Sequence, residues 1–162
     1  MSKVPLVRQI DWFGLAIQLA VFMLLILFFE WWLDDNGVIA AAFIFIGISF
    51  FLKNTISRHH RNGINKTRQG KFAEAIPDFE KSFEYFSRNP QIDKYRYLTL
   101  LSASKMSYRE MALCNMAFCY SQLGNGGQAK TFYQRTLELF PGSTMASTGL
   151  KMLESMEKDD ES

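Results

Sequence analysis

Two apolar runs near the N-terminus restrict this chain more than any other feature. Phe13 to Phe29, "FGLAIQLAVFMLLILFF", carries no charge and a single amide, Gln18. With Trp31, Trp32 and Leu33 it reaches the roughly twenty residues that cross a bilayer core at about 1.5 Å per residue. A second run, "VIAAAFIFIGISFFL" from Val38 to Leu52, begins after "DDNG". It is short for a span; Gly37 before it and the snorkelling stem of Lys53 after it extend its reach. So brief a connection forces two helices to lie antiparallel. The sequence therefore predicts a transmembrane hairpin over residues 1–52, with spans at about 12–33 and 37–53. The alternative, a buried soluble core, leaves too little protein to cover two helices that are apolar all round. A cleaved signal peptide is not expected either, because the first run exceeds an h-region and "FFEWWLDD" offers no small-residue cleavage site.

Charge sets the expected orientation. Lys3 and Arg8 precede the first span, and Lys53, Arg58, Arg61, Lys66, Arg68 and Lys71 follow the second, with no acidic residue between Lys53 and Ala73. The connecting turn carries only Asp34 and Asp35, and Trp31 and Trp32 stand where an aromatic belt belongs. Both termini are expected in the cytoplasm, with the hairpin in the plasma or inner membrane. A formal net charge of +2 gives no general attraction to nucleic acid, and none is expected as a partner. Inside the spans, Gln18 is suited to hydrogen bonding with the partner helix or a second copy. Ala16 with Ala20, and Ala40 to Ala42 with Gly47, offer small surfaces for intramembrane packing and self-association. Transport is not expected, since the second span offers only Ser49 to face Gln18 and Glu30.

From Lys53 onward apolar residues recur at helical spacing, so the whole chain reads as all-α. Shifted by 54 residues, this half matches itself: Gly63 meets Ala117, Gly70 meets Gly124, Ala75 meets Ala129, Phe79 meets Tyr133, Ser82 meets Thr136 and Phe83 meets Leu137. In Glu110 to Pro141 the residues Leu113, Met116, Ala117, Tyr120, Gly124, Ala129, Tyr133, Thr136 and Pro141 fall in an order and spacing that resembles a tetratricopeptide (TPR) repeat. Ile56 to Pro90 resembles it through Gly63, Gly70, Phe72, Ala75, Ile76 and Phe79, with His59 and Lys66 in place of the expected apolar or aromatic residues. The resemblance implies a small TPR-like α-solenoid over 53–162, a right-handed stack of antiparallel helix pairs. Its repeats fall at about 56–90 and 110–143, and a capping helix at about 144–157. It also implies a groove lined by each pair's first helix, which holds a peptide or helix from a protein partner. The matching positions are His60, Ile64, Arg68, Met111, Asn115, Phe118 and Gln122.

Between the repeats, Asn89-Pro90 is a helix start, and "QIDKYRYLTLL" is expected as one short helix with Ile92, Tyr95, Leu98 and Leu101 on one face. "SYRE", Ser107 to Glu110, reads as a capping box that opens the next helix. Six helices are thus expected after Lys53. With no Gly or Pro from the second span to Asn62, its helix is expected to run on unbroken into the domain.

No catalytic constellation emerges. Cys114 and Cys119 are five apart, about 140° around a helix, and read as buried apolar thiols. His59 and His60 point to different sides of their helix. Glu74, Asp78 and Glu80 read as carboxylates on solvated faces. "GNGG" at 124–127 lacks the preceding strand and the Lys-Ser/Thr pair of a phosphate loop, so it is read as an interhelical turn. No cofactor, metal or enzymatic activity is expected. The chain reads as a membrane-anchored adaptor; the alternative is a non-catalytic subunit or assembly factor of an integral membrane complex, which it contacts through its hairpin.

Overall fold

The computed structural model describes residues 11–33 and 36–160. The flanking cations Lys3 and Arg8 and the turn residues Asp34 and Asp35 lie outside them. The chain is all-α. Its helices among the described residues are α1 (Trp12–Leu33), α2 (Gly37–Thr55), α3 (Arg58–Arg68), α4 (Phe72–Arg88), α5 (Pro90–Lys94), α6 (Arg96–Thr99), α7 (Tyr108–Gln122), α8 (Gly126–Leu139) and α9 (Thr144–Asp160). Two compact units result. One joins α1 and α2 to Gln91–Ser107; the other comprises Ser57–Pro90 and Tyr108–Ser162.

In the first unit, α1 is long and apolar enough to cross a membrane. Its 22 residues extend about 33 Å at 1.5 Å per residue. A core helix of a soluble protein would be mostly buried, whereas 11% of the apolar window of α1 is buried. Trp12 is 78% exposed and Leu24 66%. The apolar stretch of α2, Gly37–Leu52, is shorter. The two helices meet through fully buried Ala41 and through the rings of Phe22 and Phe45, 5.2 Å apart. A Cβ at Gly37 would come within 2.4 Å of the Glu30 backbone nitrogen, so the approach near the turn requires glycine.

The same unit contains the segment between the two halves of the second. The Asp11 N–H donates to the Ala103 carbonyl at 2.9 Å, the Phe13 and Tyr97 rings meet edge to face at 6.0 Å, and Gly14 lies against Tyr97. The single helix expected here is instead two, broken at Tyr95. The Thr99 hydroxyl donates to the Ile92 carbonyl at 2.8 Å, the acceptor that a continuing helix would offer to its own backbone. Among the described residues seven helices rather than six therefore follow Ser57. The continuous helix expected through residues 53–62 is also interrupted, because α2 ends at Thr55 and α3 begins at Arg58. Ser57 is the N-cap of α3, and its carbonyl accepts from the Arg61 N–H at 3.0 Å. Its side chain makes no cap bond to the helix, so the restart uses backbone groups alone.

In the second unit, α3, α4, α7, α8 and α9 pack in succession. Ala75, Ile76, Phe79, Ala112, Leu113, Met116 and Cys119 form the interior. The turns of the two helix pairs repeat bond for bond at an offset of 54. The N–H groups of Gln69, Gly70, Lys71 and Ala75 donate to the carbonyls of Asn65, Thr67, Lys66 and Lys71; those of Leu123, Gly124, Asn125 and Ala129 donate to Cys119, Ser121, Tyr120 and Asn125. Gly70 and Gly124 hold φ of +75° and +74°, a conformation that glycine adopts without a Cβ penalty. Behind the turns, Ala75 and Ala129 are fully buried, as are Ser82 and Thr136 to within 1%. The Asn125 side chain caps α8 by accepting from the Gln128 N–H at 3.1 Å, so of the "GNGG" expected as the turn only Gly124 and Asn125 connect the helices, and Gly126 and Gly127 open α8. A Cβ at Gly63 would lie 2.7 Å from the Phe79 ring; Ala117, its counterpart, is fully buried.

Candidate functional site

The first helices of the two pairs, α3 and α7, carry all of the positions expected to line a groove. Arg68 and Gln122 are exposed, while Ile64, Met111, Asn115 and Phe118 are half-buried. Ile64 also packs against the interior, and Phe72 at the start of α4 meets Phe118 edge to face at 6.0 Å. His60 does not join them. It is 6% exposed, ringed by Phe79 and Tyr108 at 5.6 and 5.1 Å, with Nδ1 at 3.4 Å from the Ser82 hydroxyl. Burial pushes its imidazole down to about 4, so it is a neutral interior group.

The same polar position recurs in the second pair with different chemistry. Cys114 stands 54 residues after His60 and is buried, with Thr136, the counterpart of Ser82, hydrogen-bonding its thiol. Burial pushes the Cys114 thiol up to about 12, despite hydrogen bonds from Ser143 and Thr136. Burial likewise raises Cys119, against a hydrogen bond with Thr67 whose hydroxyl lies 3.6 Å from Sγ. The Thr67 hydroxyl also donates to the Gly63 carbonyl at 2.9 Å. Burial, followed by the two thiols, raises Tyr133 to about 12. These groups hold their protons at neutral pH and form an apolar-walled polar interior, the opposite of the electropositive setting that activates a thiol.

Asp78, read from the sequence as solvated, is buried and lies 2.7 Å from Lys66 Nζ. Lys66 also donates to the Glu74 carbonyl at 3.2 Å, which ties α3 to α4. His59 Nδ1 stands 3.7 Å from the other Asp78 oxygen, beyond hydrogen-bond range. The substitution of lysine for an apolar residue at 66 was visible in the sequence; its buried carboxylate partner was not, because a helical face gives no sign of which neighbour will cover it.

In the hairpin, Gln18 lines a cleft of about 270 Å³ with Leu15, Leu19, Phe22, Ala42 and Phe45. Its amide nitrogen is buried and has no hydrogen-bond partner among the described residues. Ala16 and Ala20 are exposed, and a Cβ at Gly47 would meet open space. These three lie outside the α1–α2 contact, where Gly37 and Ala41 take the close-packing role.

No protein-family model matches the chain, and no curated protein matches it. Fold and site together define an all-α protein with an apolar N-terminal helix able to span a membrane and a separate helical unit with an internal repeat.

Proposed function

We propose that this protein is a membrane-anchored adaptor. Its N-terminal hairpin crosses the plasma or inner membrane twice, and both termini lie in the cytoplasm. The second unit is a TPR-type domain that binds a peptide or helix of a protein partner and performs no catalysis. The observation that carries the reading is the 54-residue repeat of the turn's backbone hydrogen bonds, with glycine at the same positive φ in each. Such repeats stack so that corresponding helices present a continuous face. That face is Ile64 and Arg68 on α3 with Met111, Asn115, Phe118 and Gln122 on α7; His60 is not part of it. Exposed apolar side chains along α1 and α2 support the membrane assignment, since such area is otherwise left against water. The raised thiols argue against cysteine chemistry, and both should react slowly with a maleimide in the folded chain; rapid labelling would reopen that reading.

One observation favours a second reading, a subunit of an integral membrane complex bound through the hairpin. The buried Gln18 amide in its apolar cleft is the kind of group that a neighbouring span satisfies. Photo-crosslinking from the full chain in native membranes separates the two. An adduct formed from Gln122 and lost on Arg68→Glu supports the adaptor. Adducts from Leu19 alone support the subunit, and adducts from neither position overturn both.

A further inference from the structure

We propose that the segment Gln91–Ser107 is an interfacial element that sits in the headgroup layer of an anionic membrane leaflet, beside the start of α1. This rests on the reading of α1 as a span. A helix of about 33 Å fills the hydrocarbon core, so its first turn lies at a membrane surface. The bond from the Asp11 N–H to the Ala103 carbonyl and the packing of Tyr97 on Phe13 and Gly14 bring the segment level with that turn. The surface they build is amphipathic in the manner of membrane interfaces. Trp12 and Phe13 are exposed, as are Tyr95 (44%) at the break between α5 and α6 and Leu98 (48%) on α6. Exposed Lys94 and Lys105 flank them, and no acidic residue occurs from Lys94 to Lys105. Asp93 is buried. One carboxylate, Asp11, lies at this surface, and it accepts from the Phe13 N–H at 3.1 Å, capping the start of α1. Aromatic rings beside lysines match the boundary between acyl chains and lipid phosphates.

The segment is also held in shape. The Arg96 guanidinium donates to the carbonyls of Asp93, Ser104 and Lys105 at 3.2, 2.9 and 2.6 Å, and the Arg96 carbonyl accepts from the Leu100 and Ser102 N–H groups. Leu101 is held at φ +46°, a conformation that a branched residue keeps only where its surroundings impose it. Leu100 and Leu101 are buried while Tyr95 and Leu98 remain outside, which fixes the face offered to the lipid.

Nitroxide labels at introduced cysteines in the full chain, reconstituted in phosphatidylcholine vesicles containing phosphatidylglycerol, test this. Relaxation by oxygen and by a water-soluble nickel chelate reports depth. Leu24→Cys should read as deep in lipid, Glu138→Cys as water, and Leu98→Cys as headgroup depth; Tyr95→Cys repeats the last measurement at an independent position. Leu98 and Tyr95 labels indistinguishable from the Glu138 label, with the Leu24 label in lipid, would overturn the interfacial element and leave the span intact. A Leu24 label in water removes the span and this inference with it. Charge reversal by Lys94→Glu with Lys105→Glu should move the Leu98 label toward water. An unchanged depth after reversal overturns the anionic preference.

Discussion

The α3–α4 and α7–α8 pairs share a turn to within a degree of φ and an alanine behind it, yet differ at several other side chains packed there. The first places a histidine where the second places a cysteine, a glycine where the second has alanine, and phenylalanine where the second has tyrosine. Backbone hydrogen bonds and the glycine conformation are therefore the conserved geometry within this molecule. The interior is filled by whatever combination of volume and polarity closes each pair. The difference also assigns properties to one pair and not the other, above all acid sensitivity.

The largest effect should come from Phe79→Ala. Its ring is fully buried, and emptying such a site costs about 3–5 kcal/mol. Hydrogen exchange on the detergent-solubilised full chain should show lost protection in both pairs, because Phe79 shares one interior with Leu113 and Met116. Loss confined to α3–α4 would mean that the pairs are independent units.

Acid should act next, and through the first pair alone. His60 is proton-free in the folded chain down to about pH 4, whereas the unfolded chain binds the proton near its ordinary value of 6.5. Its contribution is thus complete above pH 6.5 and is lost as pH falls toward 4, amounting to about 3 kcal/mol. Denaturation midpoints of the parent and His60→Gln, compared between pH 7 and 4.5, should converge as pH falls. Parallel curves would show that the imidazole is not the sensitive group.

Smallest, and equal, should be the losses for Gly70→Ala and Gly124→Ala, about 1 kcal/mol each for a Cβ at positive φ. Unequal losses would break the equivalence of the turns.

Features set by local chemistry could be read from the sequence. The turn glycines Gly70 and Gly124 and the start of α7 after Ser107 depend on residues within a few positions of one another. Features set by distant neighbours could not. His60 looked like a groove residue because helical phase alone cannot say that Tyr108 will cover it. The same holds for Asp78, and for the segment 91–107, whose Ala103 carbonyl meets Asp11 across some ninety positions of chain. The break between Thr55 and Arg58 carried no sequence signal, because the Ser57 side chain makes no cap bond and the carbonyl that opens α3 is one every residue has.

The ring of Phe79 occupies the space a methyl group would need at Gly63. In genetic terms, codons 63 and 79 behave as one locus: any side chain at the first is selected against until the second encodes something smaller. A suppressor screen begun from Gly63→Ala should therefore return to position 79.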